Sequence, residues 1–306
     1  MPIKIPHGLP GRAVLENENI ALITEEDALR QDIRPLQILL LNLMPDKITT
    51  ETQLLRALGN TPLQIEITLI HPATHQSKNT SADHLDAFYK TFADIKDRNF
   101  DGLIVTGTPI AHLPYDEIHY WSELLSIFDW ATTHVYRSLF LCWGAFAALH
   151  HYHNVPRHRM KQKLSGIYPH NVLKPFAPLT AGFDDILNVP VSRYSEIRTE
   201  DLKPYPHLEL LVASDKAGIF LVEDTLNRRT YILNHLEYDA TSLQKEYERD
   251  LETNKNPLIP YNYFPDNDPT RTPQITWRAH RTLLFSNWIN MIYQGSPYNL
   301  SDLNRL

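Results

Sequence analysis

Leu139-Phe-Leu-Cys-Trp-Gly-Ala145 is the stretch on which the reading of this chain turns. The apolar residues read as the end of a buried strand, and Cys142 stands at a bend. Small residues then open a helix that the pattern carries from Trp143 to His151. Strand, turn and helix in this order form a nucleophile elbow, in which the bend lifts a side chain off the end of a sheet. The helix N-terminus behind it offers unpaired N–H groups and a positive dipole end, which favour a thiolate and can hold an oxyanion. A lone cysteine is as readily a buried structural residue. Position alone leaves both readings open.

Working outward, Leu36-Gln-Ile-Leu-Leu-Leu-Asn42, Leu63 to Ile70 and Gly102-Leu-Ile-Val105 read as further strands. Thr49 or Thr50 caps a helix that carries Leu54, Leu55 and Leu58 and stops at Gly59. Ser81 to Ile95 reads as one amphipathic helix with Leu85, Phe88, Tyr89 and Phe92 on its stripe, and another helix runs through Trp121, Leu124, Leu125 and Phe128. Strands alternating with helices predict an α/β fold with a central, mostly parallel sheet flanked by helices. Ligands bind such sheets outside the carboxyl ends of the strands, where Cys142 and the Thr106-Gly107 turn both fall. Later, Leu208 to Ala213, Gly218 to Val222 and Thr230 to Leu233 are short strands with a tight turn at Asn227-Arg228, predicting antiparallel additions. Helices over Thr241 to Glu252 and Gln274 to Tyr293 flank an ordered Pro-rich loop, Asn256 to Pro273. Residues 1–32 read as an N-terminal arm with a short helix, and 33–306 as a single α/β domain.

Composition narrows the function. The 306 residues carry 29 Lys and Arg against 36 Asp and Glu, a formal charge of −7, which offers no basic surface for nucleic acid. The single cysteine excludes an intramolecular disulfide framework and multi-thiolate metal sites, and fits a reducing compartment. No secretory signal opens the chain, and the apolar run Leu139 to Leu149 is too short to span a bilayer. The expectation is a soluble, cytoplasmic protein that binds neither nucleic acid nor membrane. His150, His151 and His153 read as a solvated helix end, and no metal is expected.

The second chemical signal is Asn234-His235-Leu236-Glu237-Tyr238, where the apolar strand Tyr231-Ile-Leu233 ends. A nucleophilic thiol needs a base, and the base an orienting acid. His235 and Glu237, two apart in extended chain, face the same side and suit those roles.

Taken with Asp32-Ile-Arg-Pro35, Leu41-Asn-Leu-Met-Pro45, Thr50-Glu-Thr-Gln-Leu-Leu-Arg56, Cys142-Trp-Gly144, Lys163-Leu-Ser-Gly166, Ser192-Arg193, Ser214-Asp-Lys-Ala-Gly218, Glu246-Tyr247, Arg249-Asp250 and Asn262-Tyr-Phe-Pro265, the chain resembles the homoserine O-acyltransferases of methionine biosynthesis. The resemblance runs end to end. It implies a fold like class I glutamine amidotransferases, a Cys142–His235–Glu237 triad and a ping-pong reaction through a cysteine thioester. It further implies that Lys163, Ser192 and Arg249 hold the amino acid, that acyl-CoA is a co-substrate with no bound cofactor, and that the enzyme is a homodimer. Trp143 N–H and a group near Gly107 would hold the oxyanion.

Some positions depart from the family pattern. At the acyl-donor position, where Glu goes with acetyl-CoA and Gly with succinyl-CoA, this chain has Ala111. Asn234 and Leu236 replace the usual Gly and Pro beside the histidine, and Val191 stands where His is common. By the resemblance these lie on the acceptor side. The expectation is therefore acetyl transfer to L-homoserine, with L-serine (cysteine biosynthesis) or succinyl-CoA as alternatives. A glutaminase-like hydrolase is the alternative from another class.

Overall fold

The structure is a computed structural model that describes residues 3–5, 8–18, 22–23, 34–74, 80–253 and 255–305. Its strands are β1 (Ile3–Lys4), β2 (Leu22–Ile23), β3 (Leu36–Leu41), β4 (Ile65–Ile70), β5 (Tyr89–Lys90), β6 (Phe100–Val105), β7 (Val135–Leu141), β8 (His158–Val172), β9 (Ile186–Glu196), β10 (Leu208–Ser214), β11 (Gly218–Asp224) and β12 (Arg229–Ile232). The α-helices are α1 (Gly11–Asn17), α2 (Lys47–Leu58), α3 (Ala82–Phe88), α4 (Phe92–Ile95), α5 (Trp121–His134), α6 (Trp143–His153), α7 (Thr199–Leu202), α8 (Ser242–Glu252) and α9 (Arg278–Gly295).

All twelve strands join one sheet in the order β2-β1-β4-β3-β6-β7-β12-β11-β10-β8-β9, with β5 also on β4. Pairing is parallel from β2 to β12 and antiparallel from β12 to β9. The fold class read from the sequence is the one observed. Covering on both faces explains the nearly unbroken apolar strands. Ile38 and Leu40 of β3 enter one core cluster with Trp277, Trp288 and Ile292, while Leu39 and Leu41 enter the other with Phe128, Phe140 and Trp143. Beneath the strand starts, buried Asp101 accepts both Arg34 guanidinium nitrogens at 2.8 and 2.9 Å. Among the described residues no helix is long and apolar enough to cross a membrane.

Several elements differ from the expectation. The helix read over Ser81 to Ile95 is broken: Tyr89 turns extended at ψ 151° and pairs with β4, and its hydroxyl donates to buried Glu51 at 2.5 Å. Thr91 then starts α4 with a capping box to Asp94. The cap of α2 is Asp46, which accepts from Thr49 N, not either threonine. The final helix starts at Arg278, after Trp277 sends its indole N–H to Tyr238 O at 2.9 Å. The antiparallel additions expected in the C-terminal half also include β8 and β9, which pair within residues 158–196, a stretch in which the sequence pattern outlines no strands. Of the arm read over residues 1–32, residues 1–2, 6–7, 19–21 and 24–32 lie outside the described residues.

Candidate active site

Cys142 caps the N-terminus of α6 at φ 47° and ψ −114°, a conformation that non-glycine residues rarely adopt. It is held there from both sides. Its N–H donates to Ile232 O at 2.7 Å, and its carbonyl accepts from Ala145 and Phe146 in the first turn of the helix. Gly144 allows the turn to close, since a Cβ there would lie 2.7 Å from Thr106 O. The thiol is half-buried.

β12 lies beside β7, so the turn that leaves it brings His235 to the elbow. His235 Nδ1 pairs with Glu237 Oε1 at 2.6 Å, and the ring stacks on Tyr238 at 4.1 Å between centroids. Burial alone would push the imidazole pKa down. The charges of Cys142 and Glu237 and hydrogen bonds to both side chains outweigh it and hold the ring's pKa well above its ordinary value. Among the described residues Oε2 of Glu237 is buried without a hydrogen-bond partner, and Glu237 lines a narrow cleft with Met44, Thr50, Gln53, Thr106 and Gly107.

A second group adjoins Tyr238. Glu246 accepts the Tyr238 hydroxyl at 2.7 Å on Oε1, and Lys163 Nζ at 2.8 Å and the Ser192 hydroxyl on Oε2. Lys163 Nζ also reaches Asp250 Oδ2 at 2.9 Å. Burial would raise the Glu246 pKa, but Lys163 and the donated hydrogen bonds bring it below the usual carboxylate range. Lys163 and Ser192 are thus brought together, from β8 and β9, by a carboxylate to which the sequence reading gave no role. The signal was present: Glu246 and Asp250 are four apart on α8 and share a face. Arg249 stays half out in solvent, and among the described residues Asp250 is its only ion-pair partner, at 3.1 Å. Ala111 packs, half-buried, against the core cluster that contains Trp143.

The departures from the family pattern do not line the cleft. Val191 is buried with Tyr168 and Ala217, Leu236 enters the large core cluster, and Asn234 hydrogen-bonds Arg193 and His170. The histidine triplet is also only partly solvated. His153 is buried and sits 3.2 Å from Asp224, with His207 alongside, so the three have the ligand types of a metal site. The Asp224 oxygens already accept from Leu226 N, Asn227 N and the Asn227 amide, with Arg229 at 3.6 Å, bonds that a metal would have to displace.

Solved structures share this architecture. A glutamine amidotransferase from Thermotoga maritima matches with a TM-score of 0.55 at 12% identity, covering 85% of this chain and 99% of that one. A glutamine amidotransferase from Methylobacillus flagellatus matches with a TM-score of 0.51 at 12% identity, over 85% and 95%. The fold is thus of the class I glutamine amidotransferase type. Sequence is more specific. The homoserine O-succinyltransferase family model matches residues 2–298. Proteins named homoserine O-acetyltransferase match along their length: 49% identical in Acetivibrio thermocellus (99% of this chain, 100% of that one), and 50% in Chelativorans (100% and 98%) and Thermotoga neapolitana (99% and 100%). The chain belongs to the homoserine O-succinyltransferase family, a family of acyltransferases.

Proposed function

We propose that the protein transfers an acetyl group from acetyl-CoA to the side-chain hydroxyl of L-homoserine through a thioester on Cys142, a step of methionine synthesis. The observation that carries the reading is a cysteine on a strained strand-end elbow, against a buried histidine that is itself fixed by Glu237 at 2.6 Å. Cys142 Sγ attacks the thioester carbonyl, and the oxyanion falls to Trp143 N–H, at the start of α6 where no intrahelical acceptor exists, beside the Gly107 loop. CoA leaves as its thiol, taking the proton from His235. The same nitrogen then takes the proton of the acceptor hydroxyl as its oxygen attacks the acyl-cysteine, and Cys142 is released as the thiolate.

Lys163 and Arg249 have donors to spare after their carboxylate partners are counted, and Arg249 suits the amino-acid carboxylate. Ser192 supplies a hydroxyl beside them. The names of the full-length relatives support the acetyl donor. Ala111 is uncharged, so it does not itself repel a succinyl carboxylate.

The test follows release of CoA thiol by the purified enzyme, crossing acetyl-CoA and succinyl-CoA with L-homoserine and L-serine. The highest kcat/KM is expected for acetyl-CoA with L-homoserine. A preference for serine moves the reaction to cysteine synthesis, and a preference for succinyl-CoA overturns the donor. Ammonia release from glutamine, with no thiol from any pair, refutes the acyltransferase mechanism.

A further inference from the structure

We propose that Arg193 is a positioning residue for this reaction: it fixes Asn234, and through it the turn that carries His235. The inference rests on the reading of Cys142 as the nucleophile.

The geometry begins with β9. Neighbouring side chains on a strand point to opposite faces, and Ser192 reaches Glu246 while Arg193 reaches the other way. Arg193 is only 5% exposed. Its Nε donates to Asn234 Oδ1 at 3.1 Å, Nη1 to Ser195 O and toward Met160 Sδ at 3.8 Å, and Nη2 to Ala217 O. Every acceptor is neutral. A guanidinium taken out of water without a carboxylate partner is costly to keep. Burial pushes its pKa down, while the charges of Cys142 and, more weakly, Glu196 and Tyr168 push it up.

Asn234 is the link to the base. His170 Nδ1 faces Tyr168 O at 2.9 Å and carries the hydrogen there, which leaves Nε2 as an acceptor for the Asn234 amide at 3.3 Å. Burial lowers the His170 pKa to about 4, so the ring remains an acceptor at neutral pH. The amide is thereby oriented with its oxygen toward Arg193. The next residue, His235, donates its backbone N–H to Pro190 O of β9 at 2.9 Å. One strand thus holds the base's turn twice, by its main chain at Pro190 and by the Arg193 side chain.

The experiment uses the full chain and the variants Arg193→Gln, Arg193→Lys and Asn234→Ala. Cys142 is the only cysteine, so iodoacetamide reports on it alone and needs no acyl transfer. Failure of the acetyltransferase reading therefore shows separately, in the thiol-release assay. Arg193→Gln is expected to lower kcat about tenfold or more with little change in KM, because a neutral amide cannot reproduce the fork that orients Asn234. Arg193→Lys likewise loses kcat with little change in KM, because an ammonium cannot reproduce that fork. Asn234→Ala lowers kcat about tenfold or more. An alkylation rate within about threefold of wild type in these variants shows that the elbow itself is intact. Wild-type kcat in folded Arg193→Gln, or in both Arg193→Lys and Asn234→Ala, overturns the positioning role. If Arg193→Gln does not fold, Arg193→Lys and Asn234→Ala decide it by the same split of kcat from KM.

Discussion

The parallel strands β3, β4, β6 and β7 and the antiparallel strands β8 to β11 hold the two sides of one site by different means. On the parallel side Cys142 is placed by backbone: a rare φ and ψ, a hydrogen bond to Ile232 O, and Gly144 against Thr106 O. On the antiparallel side the groups around His235 are placed by buried polar side chains, with Glu246 joining Lys163, Ser192 and Tyr238, and Arg193 joining Asn234. The first arrangement should be intolerant of an added methyl. The second should be intolerant of a lost charge and sensitive to pH. Substitutions on each side can break that distinction.

Replacing the proposed nucleophile should give the largest effect. Cys142→Ser is expected to lower kcat by about a thousandfold or more, because an alkoxide is far harder to form than a thiolate. Thermal unfolding should stay near wild type, and a fully active variant would refute the thioester. Glu237→Gln follows, with a loss of about 10²–10⁴ in kcat/KM. It removes the charge that fixes the His235 tautomer while preserving shape, so an equal loss in thermal stability would assign Glu237 to folding instead.

Glycine substitutions then compare the two sides directly. Gly144→Ala puts a methyl 2.7 Å from Thr106 O and must move the elbow, so kcat should fall along with about 1–3 kcal/mol of stability. Gly166→Ala puts its Cβ into the backbone of Tyr261 at a φ of +143°. It should cost at least about 1–3 kcal/mol while the Cys142 alkylation rate holds, because the loop displaced is that of Tyr261. Urea unfolding beside alkylation checks both, and a slowed thiol in Gly166→Ala would show that the sides are not independently held.

The same division explains what the sequence disclosed. Leu139 to Ala145 was legible because an apolar run, a bend and small residues are all local signals, and so were β3 and β6. The hairpin of β8 and β9 was not. It opens on His158-Arg-Met-Lys-Gln-Lys163, contains Pro169 and Pro190, and shifts register between Arg159 and Leu164, so no alternation survives in its pattern. Tyr89 was misread because its apolar stripe continues through Phe92, whereas its hydroxyl is satisfied by Glu51, 38 residues earlier. Burial of a charge is also invisible locally: Glu246 meets Lys163 across 83 residues and Arg193 meets Asn234 across 41. His153 was read as solvated for want of its partner Asp224. Cys142, His235 and Glu237 stand out in the sequence because the chemistry proposed for them constrains residue type, while Glu246 and Arg193 meet neighbours that only the fold supplies.

The smallest expected effect concerns pH on the antiparallel side. His170 is buried and has a pKa lowered to about 4, against about 6.5 when unfolded. The unfolded chain therefore binds the extra proton between these values, and the stability gained by keeping the ring neutral is present above about pH 6.5 and lost as pH falls toward 4. The whole difference sets an upper bound of about 3 kcal/mol. His235 has the opposite sign, since its pKa is raised: its contribution is full below about pH 6.5 and lost as pH rises through the folded value. His170→Gln keeps an acceptor for the Asn234 amide and removes the titration. Its unfolding free energy should fall less than that of the wild type between about pH 6.5 and 5, a range chosen to lie above the titration of Glu246. Equal slopes in the two proteins would mean that the acid sensitivity of this half lies elsewhere, and that His170 acts on Asn234 by shape alone.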